Sequence, residues 1–231
     1  MTATETAPTY TAPTGNVRFT GVLASEWTKL RSLRSTVWSL IAAVSMLIGF
    51  GLLFSFGVVS RWDRIGARER LTFDPTRISL GGVFLAQLAI GVLGVLIIGG
   101  EFSTGMIRSS LAAVPKRLPV LWGKALVFGV IAFVLMTVAS IAAFEVAQAV
   151  LSGKGIQTSL SADGVLRAVL GAGLFLTWVA LFGLALGTVL RNSAAAISTL
   201  VGVLLVVPIL LNFLPSDWRD HVDRWLPRGV S

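Results

Sequence analysis

The stretch at positions 79–98 reads SLGGVFLAQLAIGVLGVLII, and its length without a charge decides the fold. A helix needs about 20 consecutive apolar residues to cross a hydrocarbon core. Four further runs of this kind occupy positions 36–59, 120–151, 166–190 and 194–214. Lipid offers the backbone no hydrogen bonds, so each run is a helix or a strand of a closed barrel. The apolar residues are continuous rather than alternating, which disfavours the barrel. The expectation is an all-α polytopic membrane protein.

Composition agrees. Of 231 residues, 55% are hydrophobic and only 13% charged, with a mean hydropathy of +0.83. A soluble domain carries nearer 25% charged residues. The net charge of +8 would point to nucleic acid in a soluble protein. Here the basic residues flank hydrophobic runs, where anionic membrane lipid is the natural counter-charge and no nucleic-acid partner is expected. The absence of cysteine excludes disulfides, thiolate metal sites and cysteine nucleophiles. Residues 1–15, rich in Thr, Ala and Pro, lack the basic start and apolar centre of a signal peptide and read as a disordered tail.

Residues 16–35 precede the first run with a different pattern. Phe19, Val22, Leu23, Trp27, Leu30 and Leu33 recur every three or four positions, with Arg18, Glu26, Lys29, Arg31 and Arg34 between them. This is an amphipathic helix suited to the membrane interface. Lys and Arg divide almost evenly between the two sides, so the positive-inside rule does not orient the transmembrane domain at 36–231.

Between the second and third runs lies a polar island, Glu101-Phe102-Ser103-Thr104-Gly105-Met106-Ile107-Arg108, followed by Pro115-Lys116-Arg117 and Lys124. So much charge, glycine and proline must leave the bilayer and meet something in water. Gly99-Gly100 is expected to end the second span, with Glu101 opening a short helix whose N-terminal dipole favours a carboxylate. Pro115 and Pro119 set turns before the third span, which is long enough to tilt or to project from the membrane.

Few residues invite chemistry. HExxH, GxSxG and the phosphate-binding GxxxxGK[ST] loop are absent, and His221 is the lone histidine, so no catalytic, cofactor or metal set is expected and the chain is read as a non-enzyme. Glu145 is the one acid inside a run, with Gln148 one helical step on. An intramembrane acid can line a pore or touch substrate, or it can reach head groups near a span's end. Gly183 and Gly187 in the fourth run, with Gly91 and Gly94 in the second, permit close helix approach. Pro208 is expected to kink the fifth run.

The island and the amphipathic helix together resemble the permease subunits of type-2 ABC exporters. The resemblance rests on Glu101, Gly105 and Arg108, then Pro115-Lys116-Arg117 and Gly123-Lys124, with Met106 in place of the usual threonine. The phrase Ser25-Glu26-Trp27-Thr28-Lys29-Leu30-Arg31-Ser32 is similar to the amino-terminal helix of actinobacterial members. The resemblance implies a cytoplasmic amino terminus, a plasma-membrane location and export of a hydrophobic or amphiphilic substrate. It implies a separate ATPase subunit docking on Glu101, Phe102, Gly105, Arg108, Arg117 and Lys124 and on the helix carrying Glu26, Trp27, Lys29, Arg31 and Arg34. A second permease copy (homodimer or paralogue) would complete the substrate path. The family pattern has six spans, so the amphipathic stretch ending at Ser231 is expected to be a truncation before the sixth. The alternatives are a non-transporting membrane scaffold or receptor, and an intramembrane hydrolase.

Overall fold

A computed structural model describes residues 19–103 and 117–212, with side chains placed for 20–102 and 121–210. Among the described residues the chain is all-helical, and five helices are long and apolar enough to cross a membrane. Helix α1 (Phe19–Ser32) meets α2 (Arg34–Arg61) through the single extended residue Leu33. Two short helices, α3 (Ala67–Leu71) and α4 (Pro75–Ser79), follow before α5 (Val83–Ser103). Then come α6 (Arg117–Leu151), α7 (Val165–Leu190) and the broken fifth span, α8 (Ser193–Val201) and α9 (Val207–Asn212).

The centre of the bundle is the α5–α7 pair, flanked by α2 and α6. Leu47, Ile90, Phe128, Met136, Leu176 and Val179 are buried in one continuous core. The glycines make the central pair possible. A Cβ on Gly94 would meet the Ala180 carbonyl oxygen, one on Gly183 the Gly91 carbonyl oxygen, and one on Gly187 the Ile98 side chain at 2.5 Å. Small residues on both helices therefore interlock backbone against backbone, the packing that membrane helices use where apolar burial alone gives no preference over lipid.

Several expectations need correcting. Gly99-Gly100 does not end the second span: α5 continues to Ser103. A Cβ at Gly99 would strike the Ser193 hydroxyl, so this glycine admits the start of α8 rather than breaking a helix. Glu101 consequently lies in the last turn of α5, not at a helix start, where the dipole disfavours an anion and neighbouring cations must compensate. Pro119 sits inside the first turn of α6, a position that needs no backbone N–H, and not in a turn before it. Ser79 closes α4 and lies outside the second span.

The fifth span also departs from a simple kink. A π-helical turn at Gly202–Val206 precedes α9. The Pro208 ring would collide with the carbonyl of Leu204, four residues back, and the wider turn removes that clash. The tail at 1–15, the part of the island at 104–116 and the amphipathic stretch ending at Ser231 lie outside the described residues.

Candidate functional site

Helix α1 packs on α6, and its buried face keeps only part of the expected stripe. Val22, Glu26 and Leu30, spaced by four, turn inward, while Trp27 is 52% and Leu33 49% exposed. Glu26, read as a polar flank of the stripe, is 1% exposed. A carboxylate so buried requires cations, and the fold supplies them.

Lys124, in the second turn of α6 and 2% exposed, donates to Glu26 Oε2 at 2.5 Å and to Glu101 Oε1 at 2.8 Å. Lys29, one turn along α1 from Glu26, donates to Glu26 Oε1 at 2.7 Å and reaches Glu101 Oε1 at 3.4 Å. Two carboxylates and two ammonium groups thus form a closed, electroneutral square from three helices. The Lys29 side chain remains 32% exposed, so one edge of the square touches water. Burial pushes the Glu26 carboxyl up, but the Lys124 and Lys29 ammonium groups outweigh it and hold it below the ordinary range. Burial likewise pulls Lys29 down, and Glu26 and Glu101 outweigh that pull and raise it.

Glu101 and Lys124 bracket the island, so the square pins both of its ends to α1. Phe102 is half-buried beside them. Gly105 and Arg108 lie outside the described residues, as does the side chain of Arg117. Arg31 and Arg34 are exposed and, among the described residues, make no ion pair. The sequence named Glu26, Lys29, Glu101 and Lys124 but did not connect them. The available signal was the spacing of Val22, Glu26 and Leu30, which places the acid in the middle of an inward stripe.

A second polar cluster marks the other end of the bundle. Gln148 donates to Ser79 Oγ at 2.9 Å and accepts from the Thr158 amide at 2.8 Å, joining α6, α4 and the loop before α7. Sequence reading gave Gln148 no partner and overlooked Ser79. Along α6, Lys124 and Gln148 stand about 36 Å apart at 1.5 Å per residue. That separation brackets a hydrocarbon core of about 30 Å. Glu145 stands about 31 Å from Lys124 by the same measure, on an exposed face of α6. Glu145 thus lies near the Gln148 end of α6, with its side chain turned away from the packed core. Gln148, on the buried face, holds the cap together.

An apolar groove runs between α2 and α5, lined by Ser39, Ala42, Met46, Leu85, Leu88 and Val92. The first and fifth spans are the least covered by the rest of the chain. No protein family, curated protein or solved structure matches this chain in the three comparisons made.

Proposed function

We propose that this chain is the transmembrane permease subunit of an ATP-binding-cassette exporter, energised by a separate ATPase subunit. The observation that carries the reading is the ionic square. It ties α1, the end of α5 and the start of α6 into one unit at the ends of the polar island. A push on the island by a closing ATPase would move the second and third spans together with α1. Such a push shifts the equilibrium only if the two transport states differ in their contacts with the ATPase. In this reading the amino terminus and the island are cytoplasmic, the membrane is the plasma membrane and ATP hydrolysis belongs to the partner.

The sparsely covered first and fifth spans suit a second permease copy. The groove along α2 and α5 would then face the path between copies, and its apolar walls suit a hydrophobic or amphiphilic cargo. A rigid clamp would equally serve a scaffold that displays the island to a cytoplasmic protein without transport, and the test must separate these. The chain is co-reconstituted in vesicles with an ATPase that co-purifies with it, and both ATP hydrolysis and efflux of an amphiphilic dye are followed. The expected result is hydrolysis stimulated by the permease and weakened by Arg108→Ala, with efflux falling in parallel. ATPase binding without ATP-dependent efflux would favour the scaffold, and failure of any ATPase to bind would sink the transporter reading.

A further inference from the structure

A crease of about 160 Å³ opens where α1 turns into α2 against α6, and its lining divides by chemistry. Leu30, Val37, Leu40, Phe128 and Ile131 supply apolar lining from α1, α2 and α6, with Trp27 and Arg31 of α1 and Thr36 completing it. Lys29, the neighbouring cation on α1, is committed to Glu26 and Glu101. Arg31 makes no ion pair among the described residues, and the exposed Arg34 follows three positions later. An apolar slot with one uncompensated guanidinium in its lining, and a second a turn further along the chain, complements one molecule well: a lipid with an acyl chain and an anionic head.

We infer that this crease is a binding site for a single anionic phospholipid of the leaflet on the amino-terminal side. One acyl chain lies along Val37, Leu40, Phe128 and Ile131, and the Arg31 guanidinium holds the phosphate. Guanidinium matches phosphate geometry by paired donors, so the head is gripped rather than merely attracted. Trp27 fits this lining because an indole carries an apolar body and a polar edge suited to the head-group level. A lipid wedged there would fill the angle between α1 and α2 and set how α1 leaves the membrane. The inference requires only the membrane setting and holds whether or not the chain is a transporter.

The test is photolabelling of the full chain in phosphatidylcholine vesicles containing a trace of phosphatidylglycerol with a diazirine on its acyl chain. Label is expected on the peptides carrying Val37–Leu40 and Phe128–Ile131. Unlabelled phosphatidylglycerol should compete about tenfold better than added phosphatidylcholine, the scale of one charge-assisted contact. Arg31→Gln should bring the two lipids near parity, Arg31→Lys should restore part of the preference, and Ile131→Trp should block labelling by filling the crease. Arg31 is exposed and Ile131 half-buried, so gel-filtration and circular-dichroism profiles should stay unchanged in these variants. Three results would overturn the inference: label spread evenly over the outer faces of α2 and α6, equal competition by both lipids, or an undiminished preference in Arg31→Gln.

Discussion

Glu101 and Lys124 stand at opposite ends of the island and are joined at 2.8 Å, with Lys124 also holding Glu26. The island therefore departs from and returns to one ionic junction.

Removing Lys124 leaves Glu26 and Glu101 buried with only Lys29 between them. Lys124→Met should lower stability by about 3–5 kcal/mol, the cost of orphaning a buried charge. Glu101→Gln should cost less, because Lys124 keeps Glu26. The triple change Glu26→Gln, Glu101→Gln, Lys124→Met should recover much of the loss, since the one charge left, Lys29, is 32% exposed and can turn to water. Thermal unfolding in detergent ranks the three, and a triple variant no better than Lys124→Met would contradict the electrostatic account.

The two shifted groups of α1 set a pH window. Glu26 is lowered from an ordinary 4.5, so its contribution is present above that value and disappears as pH falls through the depressed one. Lys29 is raised from 10.5, so its contribution is present below that value and disappears as pH climbs through the raised one. Attachment of α1 should therefore be flat across neutral pH and weaken only below about 4.5 or above about 10.5. Limited proteolysis in the α1–α2 joint reads this directly. Release of α1 near neutral pH would contradict it.

Gly94→Ala places a methyl group against the Ala180 carbonyl and should destabilise the bundle by about 1–3 kcal/mol through overpacking. Gly171→Ala on α7 meets nothing within 4 Å and should be neutral or stabilising by up to about 1 kcal/mol through helix propensity. Melting temperatures of the two variants should move in opposite directions or differ clearly in size. Equal shifts would remove the case for glycine-mediated approach.

Gln148→Leu leaves the Thr158 amide without its acceptor, while the Ser79 hydroxyl loses a donor but still donates to the Pro75 carbonyl, and should cost about 1–3 kcal/mol. The loss should be local. Hydrogen exchange should quicken in the loop between α6 and α7 and around α4, while α1 and the start of α6 keep their protection. Glu145→Gln, on the outward face of the same turn region, should change neither.

Much of the architecture was legible from local pattern. The run at 79–98, and four others like it, determined the all-helical character and the number of candidate spans, because length and hydropathy are properties of consecutive residues. The paired glycines at 91/94 and 183/187 likewise announced a close contact. Helix limits were less legible. Gly99-Gly100 reads as a break in isolation, yet α5 passes through it, and Gly99 is there because Ser193 occupies the space a side chain would need.

The sequence by itself determined that charge gathers at Glu26, Lys29, Glu101 and Lys124 within a largely apolar chain. Only the tertiary structure decided that these four charges neutralise one another. Glu26 and Lys124 are 98 positions apart, and no periodicity can relate residues on helices whose packing angle is set elsewhere. The glycine-led packing of α5 on α7, and of α2 and α6 around them, fixes where the ends of the helices fall. Coulomb attraction then rewards the one arrangement in which each buried charge has a partner.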